Sequence, residues 1–336
     1  MPRFSESDSR YCASAQAHPN IALIKYWGKR DEALNLPVVG SLSITLDRLR
    51  TRTTVRFVPG SKEDHFRLNG HEEAAAARRG SAFLDLLRQR AEVDWGAQVE
   101  SENNFPTAAG LASSASGFAA LALAGSQALG LALTSAELSE LARRGSGSAA
   151  RSIFGGFVEW AHGVRTDGKD SIAEPVLTAD AWPLRVVIAL TATAAKAVGS
   201  TVGMRLTAAT SPFQSAWVDG QEADLAQARQ AIVERDFEAL AAIAEHSCLK
   251  LHALAMTAQP GLVYWNGATV ECLQRVRALR REGVAVFFTI DAGPQLKAVC
   301  SPEAATTVAA VLRDVPGVLE VIECGLDEGA RVLPTP

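Results

Sequence analysis

Residues 104–116, Asn-Phe-Pro-Thr-Ala-Ala-Gly-Leu-Ala-Ser-Ser-Ala-Ser, have the composition of a loop that can bind an anion. They lead into an Ala-rich run from Gly117 that is typical of a helix. Backbone N–H groups at a helix start can approach a phosphate, and the helix dipole favours negative charge there. Ser113 and Ser114 can add hydroxyl contacts to a phosphate or its metal. A helix start capped by one of these serines explains the segment equally well. No Gly-Lys-Ser/Thr follows the glycine, which excludes a Walker loop.

Two other segments place charged residues at the ends of apolar strands. The run from residue 20 to 24 is followed by Lys25, and residues 287–294, Phe-Phe-Thr-Ile-Asp-Ala-Gly-Pro, place Asp291 beside a Gly-Pro turn. A carboxylate at such a strand end is unfavourable unless it is paired or functional, although an Asx turn is the alternative. The Lys25 ammonium would keep Asp291 ionised and neutralise a transferring phosphoryl group. From sequence alone, a lysine snorkelling at a strand end explains Lys25 as well.

A third segment, residues 144–152, reads Arg-Gly-Ser-Gly-Ser-Ala-Ala-Arg-Ser. Ser146 and Ser148 alternate with glycines, so that several donors can converge on one anion. The planar guanidinium of Arg151 suits a carboxylate. A flexible loop followed by an ordinary surface arginine is the alternative interpretation.

Together these segments resemble the motifs of the GHMP small-molecule kinases, and their detailed sequence resembles the diphosphomevalonate decarboxylase branch. In the GHMP kinases the last motif is usually rich in glycine, and the aspartate of Asp-Ala-Gly-Pro points to that branch. The resemblance implies an α+β fold of two domains. These are an N-terminal ATP-binding α/β domain and a C-terminal ferredoxin-like α/β sandwich, with the active site in the cleft between them. Further matching stretches are Asn35-Leu-Pro, Phe154-Gly-Gly and Gly203-Met.

The resemblance also implies roles for individual residues. Asp291 would orient or deprotonate the hydroxyl at carbon 3 of mevalonate beside Lys25, and Arg151 would bind the substrate carboxylate. The phosphate groups of the substrate would contact Tyr26, Lys29, Ser146 and Ser148. ATP would be bound by Asn104, Pro106, Ala109, Gly110, Leu111, Ala112, Ser113 and Ser114. Ser114 would also lie near Mg²⁺ through the ATP phosphates.

The implied activity is ATP-dependent decarboxylation of mevalonate 5-diphosphate to isopentenyl diphosphate, with ADP, phosphate and carbon dioxide released. The alternatives are a phosphomevalonate decarboxylase and a mevalonate 3-kinase that does not decarboxylate. The combination of Lys25, Arg151 and Asp291 argues against the kinase, because a kinase needs no carboxylate clamp. A non-catalytic nucleotide-binding protein would lack at least one of Asp291, Lys25 and Ser114, and all three are present. The resemblance further implies a homodimer.

The composition limits the classes of partner. The chain has 336 residues, a net charge of −4 and a fifth of its residues charged, which argues against nucleic acid or an acidic membrane and for a small-molecule substrate. Five widely spaced cysteines without a Cys-x-x-Cys pair predict neither a disulfide framework nor a zinc site. A polar N-terminus and the lack of a long apolar run predict a cytoplasmic protein.

Hydrophobic periodicity predicts helices at 72–91, 115–130, 135–144, 221–233, 236–256, 267–282 and 302–314. Strands are predicted at 184–190, 284–290 and 318–323. A change of composition after Leu190 predicts an N-terminal domain over 1–190 and a C-terminal domain over 191–336. His246 and His252 are interpreted as structural or surface histidines. A solvated helix face is predicted for Arg78, Arg79, Arg88 and Arg90.

Overall fold

The computed structural model describes residues 10–106, 110–194 and 196–334, and their mixture of helices and strands confirms the predicted α+β class. The strands are β1 (Cys12–Ala17), β2 (Asn20–Ile24), β3 (Lys29–Asp31), β4 (Leu36–Pro37), β5 (Ser41–Thr45), β6 (Thr51–Val58), β7 (His65–Leu68), β8 (Gly96–Asn103), β9 (Phe157–Trp160), β10 (Ala173–Leu177), β11 (Arg185–Leu190), β12 (Val286–Ile290), β13 (Leu296–Cys300), β14 (Glu320–Cys324) and β15 (Arg331–Leu333). The helices are α1 (Ala74–Ala91), α2 (Ser113–Ala128), α3 (Ser135–Gly145), α4 (Ser200–Thr210), α5 (Gln214–Asp219), α6 (Gln221–Glu234), α7 (Phe237–Met256), α8 (Gly267–Arg281) and α9 (Ala305–Arg313). Two 3-10 helices span Gly147–Ile153 and Pro302–Ala304.

The first sheet has the order β15-β1-β6-β8-β7, and α2 packs on β1 and β6. Strand β6 alternates buried and more exposed residues, the pattern of a sheet with one face on the core. Val55 and Phe57 on its buried face join Phe118 and Ala122 of α2 in one apolar cluster. This packing fixes the position of the α2 N-terminus.

Two further sheets carry most of the remaining core. Strands β10-β9-β5-β2 form one of them, and β12-β13-β11-β14 form the other. Every residue of β2, β5, β12 and β13 is buried, because these strands are covered on both faces. Helix α7 contacts both β2 and β12, so that it joins the two sheets where the motif residues Lys25 and Asp291 follow their strands.

The division of the chain at residues 190 and 191 stays a prediction. Strand β11, just before that point, pairs with β13 and β14 of the second half. Strand β15, near the end of the described residues, pairs with β1 of the first half. Strand β11 therefore belongs to a sheet of the second half, and the last strand, β15, belongs to a sheet of the first half.

Candidate functional site

A cavity of about 740 Å³ lies between the two halves of the chain. Its wall combines the residues after β2, the start of α2, the 3-10 helix Gly147–Ile153 and the residues after β12. The predicted residues that line it are Lys25, Tyr26, Lys29, Gly110, Ala112, Ser113, Ser114, Ser146, Ser148, Arg151 and Asp291. The structure thus gathers residues that are separated by more than half of the chain.

Asp291 lies between two buried lysines. Lys25 Nζ donates a hydrogen bond to Asp291 Oδ1 at 2.6 Å, and Lys297 Nζ donates to Asp291 Oδ2 at 3.2 Å. Lys297 also donates to the carbonyl oxygen of Gly110 at 3.1 Å. Both lysine side chains are buried, whereas the Asp291 side chain is 25% exposed towards the cavity. The carboxylate is therefore both neutralised and accessible.

The two lysines control the ionisation of this carboxylate. Burial disfavours the charged form of Asp291, but the charges of Lys25 and Lys297 outweigh burial and lower the pKa of Asp291 below its usual range. Burial likewise lowers the pKa of Lys297, which Asp291 partly opposes. Asp291 is consequently an anion at neutral pH, suited to accept a hydrogen bond.

Arg151 is buried without a carboxylate partner among the ion pairs of the described residues. Its guanidinium donates to Asn20 Oδ1 at 3.1 Å and to Ser43 Oγ at 2.9 Å, and it also contacts Ser41 Oγ. It lies over the Trp160 ring, 5.7 Å from the centroid. Burial lowers its pKa to about 10, so it stays charged at neutral pH. A buried cation held only by neutral groups can bind an anion from the cavity.

Tyr26 and Lys29 continue the wall beyond Arg151. The buried Tyr26 hydroxyl has no hydrogen-bond partner among the described residues, and burial raises the pKa of Tyr26. Its ring meets Trp160 edge to face at 4.8 Å between centroids. Lys29 Nζ donates to Asn35 Oδ1 at 2.6 Å. Burial lowers the pKa of Lys29.

Ser146 and Ser148 belong to a structured segment, so the alternative of a flexible loop is wrong. Ser146 precedes the 3-10 helix Gly147–Ile153, and Ser148 lies in its first turn. Ser146 Oγ lies 3.2 Å from Ser114 Oγ. A β-carbon on Gly147 would come within 2.7 Å of the Tyr26 hydroxyl oxygen. Only glycine lets Tyr26 pack this closely.

The start of α2 faces the cavity without a side-chain cap. Its N-cap is Ala112, with φ of 56° and no side-chain capping hydrogen bond. Capping by Ser113 or Ser114 is therefore wrong, because these serines occupy the first helical positions. Gly110 also has a positive φ, of 83°, in a turn that lies against Gly293. The lack of a side-chain cap and the helix dipole make this end suitable for phosphate.

Other predicted loop residues lie elsewhere. Asn104 is exposed, and its side chain binds the backbone of the segment before β6. It donates a hydrogen bond to the Arg48 carbonyl oxygen and accepts one from the Arg50 backbone N–H. Leu111 is buried in the apolar core, and neither it nor Pro106 is among the cavity-lining residues. Ala109 lies outside the described residues.

Three basic residues in or beside the cavity were not predicted as site residues. Lys297 stands in the otherwise apolar β13, opposite Thr289 of β12, and a buried lysine after a strand-turn motif was the signal that could have found it. Lys196 donates to Ser200 Oγ at 2.8 Å and to the Ala292 carbonyl at 3.0 Å. Arg79 is exposed, as predicted for a solvated face, but it also lines the cavity and lies 5.0 Å from the Phe118 ring centroid. Nothing in the helical pattern distinguished it from its neighbours.

The far arm of the cavity is apolar. It lies between the first sheet and the helices α1 and α2, away from Asp291. Thr51 and Thr53 add hydroxyls to its floor. The apolar residues along it are Phe66, Leu68, Val99, Phe118 and Leu121. A flat heteroaromatic group fits such a surface, and an anionic substituent on that group would point towards the start of α2.

Two absences complete the description. Among residues 10–106, 110–194 and 196–334, no group of three or more His, Cys, Asp and Glu side chains could hold a metal ion. Within the same residues, no helix is both long and apolar enough to cross a membrane. All five cysteines are free and buried, as the absence of a disulfide pattern predicted.

Comparison with protein-family models matches both halves of the chain. Residues 17–173 match the diphosphomevalonate decarboxylase-like N-terminal domain, and residues 186–325 match the mevalonate 5-diphosphate decarboxylase C-terminal domain. The human diphosphomevalonate decarboxylase is 42% identical over 295 residues, 82% of this chain and 73% of the human one. The chain belongs to the diphosphomevalonate decarboxylase family. The Candida albicans member is 40% identical over 299 residues, 84% of this chain and 83% of its own length.

Solved structures of the family share the fold. The mevalonate diphosphate decarboxylase from Staphylococcus aureus superposes with a TM-score of 0.90 at 38% identity, covering 96% of this chain and 98% of its own. The Enterococcus faecalis enzyme gives a TM-score of 0.87 at 41% identity and covers 96% and 99%. A family structure, MDDEF, in complex with MVAPP, AMPPCP and magnesium gives a TM-score of 0.89 at 41% identity and covers 96% and 99%. These matches confirm the two-domain fold that the resemblance implied.

Proposed function

We propose that this chain catalyses the ATP-dependent decarboxylation of mevalonate 5-diphosphate to isopentenyl diphosphate. The observation that carries the proposal is that Asp291, which is paired with Lys25 and Lys297, lines the same cavity as Arg151 and the start of α2. Arg151 has no carboxylate partner among the ion pairs of the described residues, and the start of α2 has no side-chain cap. The relatives reported above are all named as decarboxylases of mevalonate diphosphate. The monophosphate decarboxylase and the 3-kinase are therefore not favoured.

Phosphoryl transfer is the first step. Asp291 accepts a hydrogen bond from the hydroxyl at carbon 3, and the hydroxyl oxygen attacks the γ-phosphorus of ATP as the bond to the β-phosphate oxygen breaks. Because its pKa is lowered, Asp291 orients the hydroxyl by accepting its hydrogen bond and does not retain the proton. The hydroxyl proton moves to an oxygen of the transferred phosphoryl group as the new P–O bond forms. Lys25 and Lys297 offset the negative charge that gathers around the carboxylate.

Decarboxylation is the second step. The new phosphate leaves carbon 3 with the electron pair of the C–O bond, and carbon 3 becomes cationic. The bond between carbons 1 and 2 then breaks, and its electron pair forms the double bond between carbons 2 and 3. Arg151 binds the carboxylate that leaves as carbon dioxide, with its guanidinium aligned by Asn20 and Ser43.

The two phosphate-bearing ends occupy separate parts of the cavity. Tyr26, Lys29, Ser146 and Ser148 bind the diphosphate of the substrate, and the uncapped start of α2 binds the ATP phosphates. The adenine lies on the apolar arm beyond α2. MDDEF binds MVAPP, the ATP analogue AMPPCP and magnesium together, which supports this pair of substrates.

Mg²⁺ enters as part of Mg-ATP. The exposed hydroxyl of Ser114, 3.2 Å from Ser146 Oγ, is a hard oxygen donor that fits this ion. Ser114 would hold the ion beside the ATP phosphates at the start of α2. The bound ion neutralises phosphate charge.

The test is a coupled assay of ADP and carbon dioxide with Mg-ATP and mevalonate 5-diphosphate. Equal release of both products, strongly reduced in Asp291→Asn, is the expected result. ADP without carbon dioxide would mean a kinase and would remove the proposed role of Arg151. Turnover of phosphomevalonate but not of the diphosphate would overturn the proposed substrate.

Three broader expectations are proposals, the first supported by the family resemblance and the other two by the sequence pattern. They are a homodimer, a cytoplasmic location and a domain division at residues 190 and 191. Light scattering at micromolar concentration tests the first, where a monomer mass would contradict it. Fractionation of cells and limited proteolysis test the other two.

A further inference from the structure

Helix α7 directs three buried polar side chains at backbone atoms beside the proposed catalytic pair. Ser247, Cys248 and His252 are each no more than 1% exposed. Sequence analysis interpreted His252 only as a structural or surface histidine, and Ser247 and Cys248 carried no motif. Their contacts divide between two strands.

On one side, Ser247 holds the backbone of Lys25. Ser247 Oγ accepts a hydrogen bond from the Lys25 backbone N–H at 3.0 Å. Lys25 directly follows β2, where the strand ends and its regular pairing stops. The serine therefore replaces the missing ladder partner of this N–H group.

On the other side, Cys248 and His252 hold the residue before Asp291. The Ile290 backbone N–H donates to Cys248 Sγ at 3.2 Å, and His252 Nε2 lies 3.2 Å from the Ile290 carbonyl oxygen. Strand β12 is at the edge of its sheet, so these backbone groups have no neighbouring strand. Glu245 continues the same helix face and accepts from the Phe288 backbone N–H at 3.3 Å.

His252 is a neutral donor. Burial lowers its pKa to about 3, so it carries no charge at neutral pH. Because the Ile290 carbonyl can only accept, the proton is on Nε2. Tyr264 and Trp265 pack against the ring and restrict its rotation. The contact adds no charge near Asp291.

Lys25 and Asp291 are 266 positions apart and follow strands of different sheets. We propose that α7 sets the geometry of this pair, with Ser247 positioning Lys25 and with Cys248 and His252 positioning Asp291. The inference rests on the proposed roles of Lys25 and Asp291. Since Lys25 and Asp291 meet at 2.6 Å, a displacement of either backbone by a fraction of an ångström would turn the carboxylate away from the substrate hydroxyl.

The experiment compares matched variants by steady-state kinetics with Mg-ATP and mevalonate 5-diphosphate. Ser247→Ala and His252→Leu should each lower kcat about 10-fold to 100-fold, with both KM values changed less than about threefold, because the binding groups stay in place. His252→Gln keeps an N–H donor near the position of Nε2 and should restore kcat to within about fivefold of the wild type.

The cysteines supply an internal control. Cys248→Ala and Cys272→Ala remove the same atom from fully buried helical sites on one apolar cluster, but only Cys248 contacts Ile290. Similar loss of thermal stability with a kcat loss only in Cys248→Ala is expected. Equal kcat values in the two variants would overturn the role of Cys248.

A double-mutant cycle separates this inference from the proposed function. In an Asp291→Asn background, His252→Leu should change the residual rate less than about twofold, because the carboxylate that His252 positions is gone. In a Lys25→Met background, Ser247→Ala should likewise have little effect, because the ammonium that Ser247 positions is gone. Undiminished effects in these backgrounds, or unchanged kcat in the single variants, would overturn positioning by α7. Absence of carbon dioxide release by the wild type would instead refute the proposed function.

Discussion

Replacing Lys297 by methionine tests how the lysine pair controls Asp291. Lys297→Met keeps a long side chain at a fully buried position and removes the ammonium that lies 3.2 Å from Asp291 Oδ2. At that distance, unit charges interact by about 5 kcal/mol for an effective dielectric constant of about 20. The desolvation of the buried ammonium offsets part of this energy. A shift of about one to three pKa units, or about 1.4 to 4 kcal/mol, is therefore expected.

The sign follows from the direction of the pKa. In the wild type the pKa of Asp291 is lowered, so its ionised form stabilises the fold above the unfolded pKa, and this contribution is lost as pH falls through the folded pKa. In Lys297→Met the pKa of Asp291 in the folded protein rises. As pH falls, activity and stability are therefore lost at a higher pH than in the wild type. The KM for Mg-ATP should also rise about fivefold, because the Gly110 carbonyl loses its hydrogen bond to Lys297.

The assay is kcat against pH from about pH 2.5 to pH 8, beside thermal unfolding at each pH. The control is Lys62→Met, which removes an exposed lysine paired with Asp94 far from the cavity. An acid limb that moves upward only in Lys297→Met is expected. An unmoved acid limb together with an unchanged KM for Mg-ATP would refute the assignment of Lys297 as a partner of Asp291.

Three other substitutions probe the cavity and the core. Arg151→Lys should raise the KM for mevalonate 5-diphosphate about 10-fold to 100-fold in steady-state kinetics, because lysine cannot form the planar pair of hydrogen bonds. The KM for Mg-ATP should stay within about threefold of the wild type. Equal rises in both KM values would contradict this role of Arg151. Gly147→Ala should raise the KM for mevalonate 5-diphosphate and lower the free energy of unfolding in urea by about 1–3 kcal/mol, because its β-carbon would lie 2.7 Å from the Tyr26 hydroxyl oxygen. An unchanged KM would show that the diphosphate binds elsewhere. Arg143→Met should raise the free energy of unfolding by about 1–2 kcal/mol, because all three guanidinium nitrogens are buried without a hydrogen-bond partner among the described residues and the ion pair with Glu140 is long, at 3.9 Å. A loss of stability would show that this ion pair outweighs the cost of burying the guanidinium.

Local features of the fold were predictable from sequence. The predicted start of α3 is confirmed, because Thr134 caps the helix and Glu137 completes a capping box within four residues. Helices α6 to α8 lie close to their predicted bounds, because each has a periodic apolar face that is also readable locally. Helices α4 and α5 were missed, since short segments packed mainly by tertiary contacts carry little periodicity.

The sequence by itself determined the chemistry that each motif offers. Lys25, Arg151 and Asp291 each stand beside a strand end or a small-residue turn whose residue types are readable locally. From sequence alone, Ser113 and Ser114 could serve either as helix caps or as phosphate contacts. That choice depended on the conformation of Ala112, which only the tertiary structure decided.

Tertiary structure alone decided which charges meet. Lys297 reaches Asp291 because β13 turns back beside β12, and Lys25 reaches it because α7 joins two sheets from opposite halves of the chain. Such contacts depend on sheet order and on the packing of buried faces, and residues 266 positions apart carry no shared local pattern. The lowered pKa of Asp291 has the same origin, since it requires burial and two neighbouring ammonium groups at once.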